Sequence, residues 1–332
     1  MELPPPLRLG VERLLAGTPL AELQRASALL SERYRAERRD GRLHLDGELA
    51  VKAYLAARMP ATFAAVRASF AMIDDTRPEF SPKTLLDLGA GPGTVLWAAA
   101  DCWSDIETAV QLEASGPARR VGAGLAAELP GVRAQWREGD VTRLPALEPA
   151  DLVCLSYVLD ELDPAAIAAL IDRLWALTTD TLVVVEPGTP AGWRRILAVR
   201  ERLLDQGAFL LAPCPHAAPC PLAAPDWCHF SRRVARSRLH RLTKEGEVPW
   251  EDEKFIFVAA SRHASQPIAA RVIAPPRQAK GLVTLKQCEA NGTAEQRVVS
   301  KREGETFRIA RRLNWGDAVP MRAVSGDADP TS

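Results

Sequence analysis

The sequence predicts an α/β fold: a parallel sheet with helices on both faces, an N-terminal helical region before it and a small β appendage after it. Three observations predict this. From residue 84, short apolar runs alternate with helix-length Ala/Leu-rich stretches, the pattern of strands joined by crossover helices. Before residue 80, apolar positions recur at helical spacing. After residue 280, two strand-like runs flank Asn291-Gly292, a strong hairpin signal.

Residues 8–39 carry Leu14, Leu15, Leu20, Leu23, Leu29 and Leu30 at helical spacing, then end in charged residues around Asp40-Gly41. Residues 47–73 read as a second helical stretch, which Pro60 restarts or kinks. Arg58 and Arg67 fall there and read as surface residues, with a place facing the cofactor or RNA as the alternative. The strands expected next are TLLDLGA, TAVQLEA, VRAQWRE, DLVCLSYV and TLVVVEP. GWRRILAVRERLLDQ is an amphipathic helix, GAFLLAPCPH a strand running into a Cys-rich loop, and DEKFIFVAASR the final strand. Residues 263–277, rich in Ala and Pro, read as a linker. The expected organisation is a helical region at 1–80, the α/β domain at 81–262 with a Cys-rich insertion at 212–250, a basic β appendage at 263–316, and a disordered tail at 317–332.

LLDLGAGPGT at 85–94 follows a predicted strand and opens a predicted helix, the context in which a glycine loop binds a ligand. Glycines let the backbone approach closely, and the loop lies at the carboxyl end of the first strand, where such sheets bind ligands. The spacing departs from the G-x-G-x-x-G of dinucleotide enzymes at Pro92, which disfavours an NAD oxidoreductase. The loop resembles motif I of class I S-adenosylmethionine-dependent methyltransferases, whose sheet is Rossmann-like. That resemblance implies that Gly89, Gly91 and Gly93 wrap the amino-acid end of the cofactor and that Asp87 orients the loop. It also implies that Glu113 accepts from the ribose hydroxyls, Asp140 meets the adenine amino group, and Ser156 and Tyr157 line the pocket. Fold does not establish turnover. The fourth strand lacks an Asn/Asp-Pro-Pro-Tyr sequence, and Cys154 reads as a buried structural thiol. Asp160 and Glu161 either lie near an acceptor or cap the next helix. No general base stands out.

Four of the six cysteines remain to be explained. Cys214, Cys220 and Cys228 lie in APCPHAAPCPLAAPDWCHF with His216 and His229 nearby, and Cys288 follows much later. Thiols gathered in a Pro-rich loop point to a soft metal or an iron–sulfur cluster. The gaps are wider than the close pairs of a zinc site, which favours a larger inorganic core and leaves zinc as the alternative. The histidines are alternative ligands, hydrogen-bond donors to sulfur, or RNA contacts.

Taken together, YLAARMPATFAAV, LLDLGAGPGT, APCPHAAPCPL, DWCHFSRRVARSRLHR and EDEKFIFVAASR resemble the methyltransferase-like mitoribosomal small-subunit assembly factors and their bacterial relatives, the Rsm-twenty-two family. The resemblance covers roughly residues 45–315. It implies a 4Fe–4S cluster on Cys214, Cys220, Cys228 and Cys288, and a role in maturing the small ribosomal subunit through its rRNA. Catalytic turnover is not implied.

Charge is consistent with an RNA partner. The chain balances at 42 basic and 42 acidic residues, yet residues 191–312 hold 22 Lys/Arg against 12 Asp/Glu. SRRVARSRLHRLTK beside the third cysteine carries Arg232, Arg233, Arg236, Arg238, Arg241 and Lys244, and phosphate contacts by such a group bind RNA in a salt-dependent manner. Trp227, His229 and Phe230 are candidates to stack on bases. Lys286, with Arg271, Arg277, Lys280, Lys301, Arg302, Arg311 and Arg312, extends the expected basic surface into the appendage. An active methyltransferase acting on rRNA or a ribosomal protein is the alternative function. A radical enzyme is disfavoured, because four ligands would leave no open iron. No run of eighteen apolar residues occurs, so no membrane span is expected. The first fifteen residues resemble no secretory or transit leader, so a cytoplasmic protein is expected, as a monomer.

Overall fold

The computed structural model describes residues 1–36, 43–244 and 246–321. The helical stretch expected to reach residue 39 is described as far as residue 36, and residues 37–42 lie outside the described set.

Four helices form the N-terminal region: α1 (Pro5–Leu15), α2 (Leu20–Arg35), α3 (Glu48–Ala57) and α4 (Met59–Asp74). Pro60 restarts the helix rather than kinking it, since proline fits the first turn, where its missing N–H needs no partner. α4 is apolar nearly all round and is buried along most of its length, including Met59, Phe63, Val66, Phe70 and Ile73. A helix hydrophobic on every face belongs in a core.

The α/β domain follows in sequence order: β1 (Thr84–Leu88), α5 (Thr94–Cys102), β2 (Thr108–Glu113), α6 (Gly116–Ala126), β3 (Arg133–Glu138), β4 (Ala150–Ser156), α7 (Pro164–Ala176), β5 (Thr178–Pro187) and α8 (Pro190–Asp205). Then come β6 (Phe209–Ala212), β7 (Phe230–Ala235), the short helix α9 (Arg238–Thr243) and β8 (Trp250–Ser261). The sheet order is β3-β2-β1-β4-β5-β8-β6, with β7 also on β8. β1 to β5 pair in parallel, and β8 runs antiparallel to β5, β6 and β7. The order turns at β1 and β4, so the crevice above their carboxyl ends is where such a sheet binds ligands. Central strands are apolar without alternation because helices cover both faces; Leu86, Leu88, Val153, Leu155, Val183 and Val184 are essentially unexposed. This parallel half, with the antiparallel strand β8 inserted near the edge, is the class I methyltransferase-like α/β sheet that the glycine loop predicts.

β6 and β7 lie end to end along β8. β6 pairs with Ala259–Ser261 and β7 with Trp250–Phe255. The Cys-rich loop between them is therefore anchored at both ends on one strand.

The appendage is a five-stranded antiparallel sheet of β9 (Ala270–Val272), β10 (Arg277–Ala279), β11 (Leu282–Glu289), β12 (Ala294–Ser300) and β13 (Ala318–Val319), flanked by α10 (Glu305–Ala310). Asn291 and Gly292 turn the β11–β12 hairpin, with Gly292 at a φ of 89° that favours glycine. Two expectations are corrected here. The segment read as a linker contains β9, whose Arg271 is wholly buried. The segment read as a disordered tail begins with β13 paired to β9; residues 322–332 lie outside the described set. Composition misled in both places, because short strands held by a neighbour need no apolar period of their own.

Arg271 fastens this sheet to the main domain. It pairs with Asp75 just beyond α4, and donates to Pro213 O of the Cys-rich loop at 3.2 Å and to Gly316 O at 3.0 Å. Cys288 stands opposite Arg271 in the β9–β11 register.

Candidate functional site

The glycine loop binds itself to the end of β2. Gly89 and Ala90 donate to Leu112 O at 2.9 and 3.1 Å. Gly89, Gly91 and Gly93 have φ of 66°, 54° and 85°, the left-handed region open to glycine at little cost. A Cβ on Gly89 would stand 2.6 Å from Val158, and one on Gly93 2.8 Å from Trp136. Glu113 ends β2 with both oxygens engaged: Oε2 accepts from Gly91 N at 2.8 Å and Oε1 from Ser115 N at 2.6 Å. Burial raises its pKa against these two bonds.

A cavity of about 290 Å³ opens above this loop. Gly89, Gly91, Glu113, Asp140, Ser156 and Tyr157 line it, whereas Asp87 and Gly93 do not. Asp140 is exposed and accepts from Thr142 N at 2.7 Å, capping a single 3-10 turn. Asp87 is buried beneath the loop. Neither of its oxygens finds a hydrogen-bond partner among the described residues, and burial, then the charge of Glu113, holds its pKa well above the ordinary range. Ser156 Oγ is likewise buried without a partner. Unmet polar atoms and open backbone at the mouth of a switch point suit a polar ligand such as a nucleoside.

Sequence reasoning missed several pocket residues. Arg58, for which a surface place was the first reading and a place facing the cofactor the second, lines the cavity, sits 5.9 Å over the Tyr34 ring and donates to Glu253 Oε1 at 3.3 Å. The paired Glu253 raises the Arg58 pKa further. The buried His44 places Nδ1 2.7 Å from Glu161 Oε1, and both line the same cavity. Trp136 packs on Gly93 and donates to Gly91 O at 3.2 Å, clamping the loop from β3. Only the tryptophan had a signal, a large ring within an otherwise polar edge strand. Neither Asp160 nor Glu161 caps α7; Asp163 does, accepting from Ala165 N at 2.9 Å. Cys154 is buried in β4, as expected for a structural thiol.

The second site lies on the far side of β8. Cys214, Cys220, Cys228 and Cys288 all line one small cavity, of about 30 Å³, with His216 and Arg200. Three cysteines arrive on the loop and the fourth on β11. Burial and then mutual repulsion hold the Cys228 thiol well above its ordinary pKa, and burial pushes Cys288 up to about 12. His216 Nε2 stands 3.3 Å from Cys288 Sγ. Among the described residues, no three His, Cys, Asp or Glu side chains are disposed to hold a single metal ion. The four side chains are all thiols, three from the loop and one from β11, a make-up chemically suited to a soft, multi-atom core.

The basic stretch is more neutralised than its sequence implies. Arg233 forks onto Asp252 at 2.9 Å through two bonds. Arg236 and Lys244 both bind Glu251, at 2.9 and 2.6 Å, and Lys286 pairs with Asp226. Arg271 is withdrawn from any surface by burial. Arg238 is exposed, Arg232 and Arg241 are half-buried, and none of the three has an ion-pair partner among the described residues. The aromatic residues expected to stack on bases are also engaged. Phe230 is in the core, Trp227 donates to Gly188 O at 3.1 Å, and His229 stacks on Trp227 and meets Trp315 edge-on.

Comparison with known proteins decides the family. The family model described as mitochondrial small ribosomal subunit Rsm22 matches residues 48–320. The chain belongs to the Rsm22 family. It is 29% identical over 299 residues to the human mitochondrial ribosome assembly protein METTL17, covering 82% of this chain and 63% of that protein. It is 22% identical over 205 residues to the mitochondrial Rsm22-cox11 tandem protein 2 of Schizosaccharomyces pombe, covering 48% of this chain and 27% of that protein. The chain thus spans less than two thirds of these relatives' length. Among solved structures, an O-methyltransferase family protein from Burkholderia thailandensis overlaps with a TM-score of 0.44 at 15% identity, covering 74% of this chain and 72% of that one. Magnesium protoporphyrin IX methyltransferase from Synechocystis overlaps with a TM-score of 0.41 at 13% identity, covering 72% and 97%. Both overlaps are shallow, and the fold assignment stands on the strand order.

The cytoplasmic expectation is overturned by these relatives, which are mitochondrial by name, as is the Rsm22 family model. The expectation rested on leader composition alone, and that is a weak guide, since addresses are read by receptors rather than dictated by the fold. Among the described residues, no helix of this chain is long and apolar enough to cross a membrane.

Proposed function

We propose that this Rsm22-family chain assists assembly of the small ribosomal subunit, binds its rRNA and carries a structural 4Fe–4S cluster on Cys214, Cys220, Cys228 and Cys288. The observation that carries the reading is the arrival of four cysteines, from a loop anchored on β8 and from a separate sheet, at one cavity. Binding a metal core displaces thiol protons that burial otherwise retains. A bound cluster supplies a covalent tether between loop and appendage. Arg271 and the Trp227–His229–Trp315 contact already tie the same two parts together. Arg232, Arg238 and Arg241, free of carboxylate partners among the described residues, offer positive charge to phosphate beside this tether. The human relative, a ribosome assembly protein by name, supports the same reading.

The pocket residues suit S-adenosylmethionine, which supplies an activated methyl group when bound. Gly89 and Gly91 would present backbone to its amino-acid end, Glu113 and Asp140 would accept from its ribose and adenine, and Ser156 and Tyr157 would wall it. Asp87 and Gly93 shape the loop from behind. An active methyltransferase is the second reading, favoured by His44 and Glu161 standing side by side in the wall of this cavity, residue types that serve in general acid–base catalysis.

Co-sedimentation with isolated small subunits tests the first reading. Wild type is expected to bind and Cys220→Ser to lose both cluster and binding; full RNA affinity in a cluster-free Cys220→Ser protein would refute the tether. Methyl transfer to the same subunits, abolished by Glu113→Ala, would establish the second.

A further inference from the structure

Among the described residues, three arginines are almost wholly buried: Arg77, Arg200 and Arg271. A guanidinium keeps its charge in any protein environment. Burying that charge is tolerated when an anion accompanies it. Arg77 has Asp180 at 2.9 Å, and Arg271 has Asp75. Arg200 has no carboxylate partner among the described residues. It is 2% exposed, and its Nη2 donates to two carbonyls of the Cys-rich loop, His216 O at 2.9 Å and Ala218 O at 2.6 Å. Its Nε is buried with no hydrogen-bond partner among the described residues. Arg200 lines the cavity of the four cysteines, projecting from α8.

An uncompensated buried cation facing a cavity of four thiols implies an anion in that cavity. Four thiolates around an inorganic core supply one, because their combined charge exceeds that of the core. We propose, building on the cluster reading above, that Arg200 is the counter-charge of the group held by Cys214, Cys220, Cys228 and Cys288, and that it raises that group's reduction potential. Adding an electron makes the cluster more negative, and a fixed cation nearby favours that state. The two carbonyl bonds hold the loop at the distance where this charge acts. Arg200 is a positioning residue in this account, since it need not touch iron.

The test uses full-length protein purified without oxygen, in the wild-type, Arg200→Lys and Arg200→Gln forms. Iron and sulfide are measured first, then the midpoint potential by dye-mediated titration followed by electron paramagnetic resonance. Arg200→Lys keeps the charge and is expected to stay near wild type. Arg200→Gln removes it, and its reduction equilibrium is expected to fall at least tenfold, about 59 mV for one electron. A cluster-bearing Arg200→Gln protein with wild-type potential would overturn the proposal and leave the cluster reading intact. Wild type without iron would overturn the cluster reading, and the proposal with it. Should Arg200→Gln fail to retain iron, the comparison passes to Arg200→Lys and Arg200→Met. Iron kept by Lys and lost by Met supports a charge role, and equal loss in both overturns it.

Discussion

Tyr157 donates its phenolic hydrogen to Glu253 Oε1 at 3.1 Å. Tyr157 follows β4 with a φ of 58°, the sole non-glycine residue at positive φ among the described residues. Glu253 lies on β8, opposite Arg232 of β7. One side-chain bond therefore joins the wall of the cavity above the glycine loop to the strand pair bearing the basic stretch. Local strain held by the surrounding structure is common where a ligand must be met.

Tyr157→Phe removes this bond while Glu253 keeps Arg58. The expected loss of stability is about 1.5–3 kcal/mol, the range for a hydrogen bond to a charged group. Urea unfolding measures it; an unchanged midpoint would mean that the bond does not restrain β4.

Gly93→Ala forces a Cβ to within 2.8 Å of Trp136 at a backbone φ of 85°. Binding of S-adenosylmethionine, measured by calorimetry, is expected to weaken at least tenfold. Pairing the change with Trp136→Ala relieves the collision but not the backbone strain, so recovery is expected to be partial. Wild-type affinity in Gly93→Ala would mean that the loop does not form the cofactor site.

Glu186 is unexposed, and burial, followed by the charge of Asp160, pushes its pKa up from 4.5 to about 8 despite Arg195 at 2.7 Å. A carboxyl raised in the folded state binds more protons folded than unfolded. Its contribution is therefore fully present below pH 4.5 and is lost as pH rises toward about 8. Thermal unfolding across that window is expected to show a falling contribution in wild type that Glu186→Gln lacks. Identical pH profiles would refute the assignment.

How far the sequence reaches can be judged from these residues. The left-handed glycine turn and the place of Glu113 at a strand end were legible because each is fixed locally, and the four cysteines, which line one cavity, stood out by residue type. Arg58, His44 and Arg200 were not, because their roles depend on partners far along the chain. The basic stretch was over-read for the same reason. The acids that neutralise Arg233 and Arg236 lie on β8, and only the antiparallel register brings Asp252 and Glu251 beside them.

That register makes a prediction for RNA. Replacing Arg238 and Arg241 with Gln is expected to lower the salt dependence of rRNA affinity by about 0.7 to 0.9 per lost phosphate contact. Arg233→Gln is expected to change it far less, since Asp252 already holds that charge. Filter binding across a salt series measures both slopes; a larger effect from Arg233 would place the RNA elsewhere.

The central claim is that Cys214, Cys220, Cys228 and Cys288 hold one iron–sulfur core that ties the loop to the appendage. Iron, acid-labile sulfide and zinc measured on wild-type protein purified without oxygen test it most directly. The account predicts about four iron and four sulfide per chain, and loss of both in Cys288→Ser. Stoichiometric zinc with no iron, or iron retained in full by Cys288→Ser, would contradict it.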